Sequence, residues 1–161
     1  MHHLATGKCY YITVIYAACN VGDRRDLWKS IRGLAPASSP WMLMGDFNAI
    51  TSSSEKMGGN EPNQLFMVEF NDYISDCNLE DVGYIGSTFT WTSGRVSERL
   101  DRVLCDQQCL NEFPLMHVRH LAKNYSDHSP LLLEIMLDTG QPRGSFRFQN
   151  MWLGRLEINE D

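Results

Sequence analysis

The stretch Trp41-Met42-Leu43-Met44-Gly45-Asp46-Phe47-Asn48 decides the fold, because it joins a short apolar run to a polar end. The four apolar residues predict a buried strand that ends abruptly at Gly45. Glycine permits a tight turn there, so Asp46 and Asn48 can project from the sheet edge on the same side. The alternative is a simple Asx turn without chemical function.

Segments on both sides of this strand alternate between strand and helix patterns. Residues 10–16 are β-branched and aromatic, which predicts a strand buried on both faces. Asp23 is predicted to cap a helix that stops before Pro36. Pro62 suits the first turn of a second helix, whose apolar residues recur at helical spacing as far as Cys77.

Beyond that helix the pattern changes to short β segments in series, at residues 88–91, 99–104, 115–121 and 130–137. Helices interleaved with strands early and strands in series later predict an α/β fold with a mixed sheet, arranged as a two-layer or four-layer sandwich. No internal boundary interrupts residues 1–137, so they are predicted to form one domain. Residues 138–161 are interpreted as a connector.

Composition limits the class of protein. The chain has 161 residues, 43 % of them hydrophobic, and a net charge of -6, which fits an ordinary globular domain. No apolar run approaches the roughly 18 residues that cross a bilayer, and the first residues lack a secretion signal. Five cysteines without metal-finger spacing suit a reducing, intracellular compartment.

The charge is uneven along the chain. Residues 1–40 hold five basic and two acidic side chains, whereas residues 41–81 hold one basic and eight acidic. An acidic balance argues at first against nucleic acid as a partner. The acidic block is either a solvated helix face or a cation site, and the motifs must decide between them.

Two further motifs place acids or a histidine beside predicted strands. Asp101 either needs a hydrogen-bond partner or pairs with Arg99 or Arg102 on a solvated face. Pro130 restricts the residue before it to extended geometry, so Asp127 and His128 sit at a strand entrance. A lone histidine in a turn is usually structural.

Together these residue types suit the hydrolysis of a phosphodiester, which needs a hard cation, a positioned water and charge neutralisation on the phosphate. Asp46 and Asp127 are suitable oxygen ligands, and Asn48 is a neutral donor. Asp101 can pair with His128 and fix the orientation of its ring. The sequence contains neither a Gly-x-Ser-x-Gly motif nor a glycine-rich phosphate loop.

Four motifs in order, Val14-Ile15-Tyr16-Ala17, Gly45-Asp46-Phe47-Asn48, Arg99-Leu100-Asp101 and Ser126-Asp127-His128-Ser129-Pro130, resemble the endonuclease/exonuclease/phosphatase superfamily. That superfamily includes apurinic-site endonucleases, deoxyribonuclease I-like enzymes and inositol phosphate phosphatases. The resemblance implies a four-layer α/β sandwich of the deoxyribonuclease I-like type.

Two further runs are similar to the endonuclease of plant LINE-type (non-LTR) retrotransposons. They are Gly86-Ser87-Thr88-Phe89-Thr90-Trp91 and Phe146-Arg147-Phe148-Gln149-Asn150-Met151-Trp152, the second within a connector toward a reverse transcriptase. The likeness covers about residues 8–153. It implies DNA as the partner and a nuclear location, with no membrane and no obligate protein partner.

The resemblance also implies catalytic roles. Asp46 would orient or deprotonate the attacking water, and Asn48 would hold that water and a phosphate oxygen. His128, oriented by Asp101, would stabilise the transition state. Asp127, together with Asp46, would bind Mg²⁺ or Mn²⁺.

Substrate contacts follow from the same resemblance. Tyr16 would contact the phosphate, and Asn20 would lie nearby, although Cys19 stands where the family usually has an asparagine. The set expected near the substrate groove is Thr88, Thr90 and Trp91.

The family domain begins with an asparagine and a glutamate that this chain lacks, and the glutamate is the principal metal ligand. The resemblance therefore predicts a domain without its first third and a weak or inactive nuclease. Two alternatives stay open. One is a phosphatase of a small substrate selected by Arg95, Arg99 and Arg102, and the other is a non-catalytic remnant.

Overall fold

The computed structural model describes residues 9–136, so the predicted connector at 138–161 and the run at 146–152 lie outside the described residues. In chain order the elements are β1 (Tyr11–Tyr16), α1 (Val21–Arg32), β2 (Trp41–Asp46), a 3-10 turn (Ser53–Glu55), β3 (Lys56–Met57), α2 (Gln64–Asp76), β4 (Leu79–Asp81), β5 (Ile85–Gly86), β6 (Trp91–Ser93), β7 (Val96–Glu98), β8 (Asp101–Asp106), α3 (Gln107–Glu112), β9 (Met116–His120) and β10 (Leu131–Ile135).

Three sheets organise these strands. The main sheet has the order β1-β2-β8-β4, the second β10-β9-β5 and the third β3-β7-β6. β1 runs parallel to β2, whereas β8 is antiparallel to it. The predicted α/β class with a mixed sheet is therefore confirmed. None of the helices between residues 9 and 136 combines the length and apolar character needed to cross a membrane.

Helices α1 and α2 cover one face of the main sheet. The indole of Trp28 stacks on Tyr73 at 4.7 Å and on Phe70 at 5.3 Å between ring centroids. Ile15 and Leu43 meet this aromatic group from the strands. The helical periodicity of the sequence thus becomes one buried apolar face for each helix.

The second sheet packs on the opposite face of the main sheet. Met42 and Val103 project from β2 and β8 toward Met116 and Val118 of β9. Alternate residues of β9 are buried, as expected for a strand with one face in the core. This packing holds the second sheet, and the loop that joins β9 to β10, beside the end of the main sheet.

β1 differs from its prediction, because it is not buried on both faces. Among residues 9–136 it is an edge strand of its sheet, and only the face that bears Ile15 packs under α1. On its other face Val14 is 77 % exposed and Tyr16 is 88 % exposed. The run of β-branched and aromatic residues predicted the strand correctly but could not reveal its position in the sheet.

Helix starts also differ from their predictions. Asn20, not Asp23, caps α1, since its side-chain oxygen accepts from the backbone N–H of Gly22. Asn63 caps α2 in the same way, and Pro62 lies just before the cap. Asparagine is among the best N-cap residues, so each helix starts where an amide oxygen is available.

Candidate active site

Three neighbouring strands bring predicted site residues into one row. Tyr16 is in register with Asp46, and Asp46 is in register with Asp101. In-register residues share a face of the sheet, so these side chains emerge on the side where the second sheet packs. His128 enters this row from the loop before β10.

Gly45 allows the close approach of β1 to β2, rather than the tight turn predicted for it. It lies within β2 at a φ of 132°, and a Cβ there would overlap the carbonyl oxygen of Ile15. The turn is made two residues after Asp46, at Asn48, which has a φ of 47°. Asparagine tolerates this left-handed region better than most residues.

Asp46 is held by Asn48 in an Asx turn, which was the alternative interpretation of the tetrapeptide. Its Oδ1 accepts from the backbone N–H of Asn48 at 2.8 Å, and its Oδ2 accepts from the Asn48 amide at 2.9 Å. Burial raises the pKa of the Asp46 carboxyl, the Asn48 bond lowers it, and the negative charge of Asp101 raises it. The net shift is upward, which suits a carboxylate that takes up a proton.

His128 lies between two carboxylates. Its Nδ1 donates to Oδ2 of Asp101 at 2.8 Å, so its Nε2 points elsewhere. Nε2 is 4.0 Å from Oδ2 of Asp46, too far for a direct hydrogen bond. His128 is about one-third exposed, whereas both carboxylates are nearly buried. The arrangement therefore orients the imidazole so that Nε2 lies near the Asp46 carboxylate without bonding to it.

Thr90 supports this site from inside the fold, and the predicted substrate contact by Thr90 is wrong. Its side chain is fully buried. Its hydroxyl oxygen accepts from the backbone N–H groups of Leu100 and Asp101 at 3.0 Å and 2.9 Å. Thr90 therefore positions the start of β8, and with it the carboxylate that orients His128.

Trp91 and Asp127 form a contact of their own beside the histidine. The indole N–H of Trp91 donates to Oδ2 of Asp127 at 2.9 Å, and Trp91 forms a β-bridge with His128. This hydrogen bond is the main reason that the pKa of Asp127 is lowered. Asp127 is exposed, so its other oxygen faces solvent.

The remaining predicted contacts lie at the margin. Tyr16 is largely exposed at the end of β1, and Thr88 is exposed in the loop before β6. The side chain of Asn20 caps α1. Cys19, which occupies the family's asparagine position, lies with its Sγ 3.6 Å from Oδ1 of Asn48.

A buried ionic quartet supports the start of β8, and the sequence did not predict it. Arg99 and Arg102 each pair with Glu55 and with Asp81, at 2.7–3.1 Å. Arg102 is fully buried. Burial alone would raise the pKa of the Glu55 carboxyl, but the guanidinium of Arg102 holds it below its ordinary value.

This quartet overturns two expectations. Arg99 and Arg102 are enclosed by carboxylates, so they are not free to select a small phosphorylated substrate. Neither arginine pairs with Asp101, which was one of the two interpretations of that motif.

The arginines of residues 1–40 also have partners within the fold. Arg25 pairs with Glu69 of α2, and Arg32 pairs with Asp76. Arg24 is buried and donates to the carbonyl oxygens of residues 18 and 19. Part of the acidic block is therefore bound to the helix arginines rather than free on a solvated face.

One group of side chains between residues 9 and 136 could hold a metal ion through three ligands. Ligand atoms of Asp46, Asp101 and His128 lie within 4.8 Å of one another. Two carboxylates and water are donors that suit Mg²⁺ or Mn²⁺, and an imidazole is acceptable to Mn²⁺. This donor set fits a divalent cation, although Asp127, a predicted ligand, is not a member of the group.

Comparison with known proteins gives a family match and several similar structures. Residues 5–128 match the sequence profile of the Endonuclease/Exonuclease/phosphatase family. No curated protein sequence gives a significant match. The 3'-5' exonuclease NExo from Neisseria meningitidis is similar with a TM-score of 0.61 and 16 % identity, over 77 % of this chain and 60 % of the exonuclease.

The endonuclease domain of TRAS1, a telomere-specific non-LTR retrotransposon, has a TM-score of 0.58 and 16 % identity, over 78 % of this chain and 56 % of that domain. The chain thus spans less than two thirds of the length of either structure. At this level of identity the likeness shows the fold, which is the deoxyribonuclease I-like type that the motifs predicted.

Proposed function

Because the chain belongs to the endonuclease/exonuclease/phosphatase family, we propose that it hydrolyses phosphodiester bonds in DNA with the help of a divalent metal ion. One observation carries the proposal: His128 is oriented by Asp101 while its free nitrogen faces the carboxylate of Asp46 across 4.0 Å. A base and a charge-stabilising imidazole on opposite sides of a gap suit attack of water on a phosphate.

Four residues of the chain have distinct proposed roles in this reaction. The carboxylate of Asp46 takes a proton from the attacking water, and the amide of Asn48 keeps that carboxylate in place. The water oxygen forms a bond to phosphorus as the bond to the leaving oxygen breaks, and the leaving oxygen takes a proton from solvent water. His128 binds a non-bridging phosphate oxygen through Nε2, and Asp101 stabilises the positive charge on the imidazole.

Asp46 and Asp101, whose carboxylates belong to the group able to hold an ion, would bind Mg²⁺ or Mn²⁺, and the ion would neutralise charge that develops on the phosphate. Asp127, a ligand that the family resemblance implies, lies outside that group and accepts a hydrogen bond from Trp91. Asp46 and Asp101 also accept hydrogen bonds from Asn48 and His128, so we expect weak metal affinity and slow turnover.

The substrate and origin that we propose are those of a LINE-type retrotransposon endonuclease of plants, acting on nuclear DNA. The order of the four motifs and the likeness to the TRAS1 domain support this assignment. Tyr16, which is exposed and in register with Asp46, and Thr88, which is exposed in the loop before β6, are the proposed contacts to the DNA strand.

Nicking of supercoiled plasmid DNA in the presence of Mg²⁺ or Mn²⁺ tests the proposal. We expect slow nicking by the unmodified chain and a loss of at least about 100-fold in Asp46→Ala and His128→Ala. The matched controls are Asp72→Ala and His117→Ala, which remove an exposed acid of α2 and an exposed histidine of β9. Equal nicking by the site variants and the controls would contradict the proposal.

A further inference from the structure

A cavity with polar and apolar lining adjoins the loop that carries His128. Its volume is about 580 Å³, within the range of small-molecule sites. Ser129, the residue after His128, lines it, and so does Thr92, the residue after Trp91. Thr92 and Ser129 each follow one of the two bridged residues, Trp91 and His128, so the cavity adjoins the loop that carries His128, although the imidazole does not line it.

Lys123 is the lysine that lines this cavity, and the hydroxyl of Thr92 holds it in place. Its Nζ donates to Oγ1 of Thr92 at 2.7 Å, and that oxygen lies 3.1 Å from Oγ of Ser97. Ser97 is buried, with 7 % of its surface exposed. The backbone N–H of Thr92 donates to the carbonyl oxygen of Asp127, which ties the cavity wall to the loop that carries His128.

The ammonium of Lys123 has unused binding capacity. It offers three donors, of which the contact with Thr92 uses one. Among residues 9–136 no carboxylate forms an ion pair with it, in contrast to the pairs of Arg25, Arg32 and Lys56. Burial lowers the pKa of Lys123, while Asp127 and Asp101 act in the opposite direction. An anion in the cavity would therefore replace the hydration that the ammonium has lost.

Phosphate is the anion whose chemistry fits. Lysine binds phosphate as a point charge, and hydroxyl groups donate to its oxygens. A DNA strand carries one phosphate per nucleotide, so a strand whose scissile phosphate lies at His128 also brings a neighbouring phosphate to the surface around that loop. Lys123 is joined to this loop through Thr92, whose backbone N–H donates to the carbonyl oxygen of Asp127.

We propose that this cavity is the subsite for the DNA phosphate that flanks the scissile one, with Lys123 as its principal contact. The inference rests on the proposed function, since it assumes that a polynucleotide occupies the site. It assigns the cationic contact to a residue in the segment between β9 and β10.

The salt dependence of DNA binding tests the subsite without requiring cleavage. Fluorescence anisotropy of a labelled duplex, measured in EDTA between 50 and 200 mM NaCl, gives the slope of log affinity against log salt. Removing one phosphate contact through Lys123→Met should reduce the magnitude of that slope by about 0.9 and weaken binding about eightfold at 0.1 M salt. Lys123→Arg keeps the charge and should retain both the slope and the affinity.

Lys29→Met is the matched control, because it removes the same charge from the exposed surface of α1. An unchanged slope in Lys123→Met, or an equal change in the control, would overturn the subsite. Plasmid nicking judges the proposed hydrolysis separately, so hydrolysis can stand while the subsite fails. Absence of DNA binding by the unmodified chain would overturn both, and circular dichroism confirms that each variant is folded.

Discussion

Glu55→Gln removes one negative charge from the buried quartet and leaves two guanidinium groups with one carboxylate, that of Asp81. Oε1 of Glu55 accepts from Arg99 at 2.7 Å, and Oε2 accepts from Arg102 at 2.8 Å and from the backbone N–H of Thr51 at 2.7 Å. Glutamine keeps the shape and one acceptor oxygen. Its amide nitrogen would face N–H donors of the arginines or of Thr51, so the hydrogen bonds to that position would be lost.

The magnitude follows from burial. Only 10 % of the Glu55 side chain and none of the Arg102 side chain is exposed, so water cannot screen the unpaired charge. Removal of one partner from a buried ion pair costs about 3–5 kcal/mol. That is a large part of the roughly 5–15 kcal/mol that stabilises a domain, and it corresponds to a fall in Tm of about 10–20 °C.

Urea unfolding at neutral pH, followed by circular dichroism, measures this loss. Glu69→Gln is the matched control, because the pair of Glu69 with Arg25 is substantially exposed and should contribute at most about 1 kcal/mol. The pKa values of Glu55 and Asp81 are both held below their ordinary values, despite burial, by the two arginines. Their stabilisation is therefore complete above the ordinary carboxyl pKa and is lost as the pH falls through the lowered values. The difference between the unmodified chain and Glu55→Gln should narrow in acid.

A loss below about 1 kcal/mol at neutral pH would refute the reasoning, because it would mean that the desolvation of the quartet cancels its attraction. A difference that widened in acid would contradict the direction of the pKa shifts. A loss equal to that of the control would show that burial of the quartet is not what makes Glu55 important.

Two further predictions concern the strand that carries Asp46. Asp46→Asn should abolish nicking but raise the Tm near pH 7, because burial raises the pKa of the carboxyl and disfavours its charge. The gain in Tm should shrink as the pH falls through the raised pKa, and calorimetry at several pH values measures it. Gly45→Ala should destabilise the chain by more than about 1 kcal/mol and weaken nicking, because its Cβ would overlap the carbonyl oxygen of Ile15. The control Gly33→Ala, at a φ of -72°, should be neutral or slightly stabilising in the same urea titration. Equal stabilities of the two glycine variants would contradict this account.

The strands and helices could be predicted from the sequence because their signals are local. The apolar run at 41–44 becomes β2, and the helical spacing up to Cys77 becomes α2. The first residue of a helix and the edge position of a strand were harder to predict from the sequence. Asn20 rather than Asp23 caps α1, and β1 has an exposed face. A cap depends on which oxygen reaches the first turn, and an edge depends on which strands pair, so neither is visible in a run of residue types.

Among the site residues, the sequence by itself identified Asp46, Asn48, Asp101 and His128, because a carboxylate or imidazole beside an apolar strand is a local pattern. Only the tertiary structure decided which of them meet and what supports them. Strand register set Asp46 beside Asp101, and the loop before β10 delivered His128 to both. Burial placed Thr90 in support rather than in contact with substrate, and enclosed Arg99 and Arg102 among carboxylates from distant segments. Charge and hydrogen-bonding capacity belong to the residue, but the partner that satisfies them is chosen by the fold.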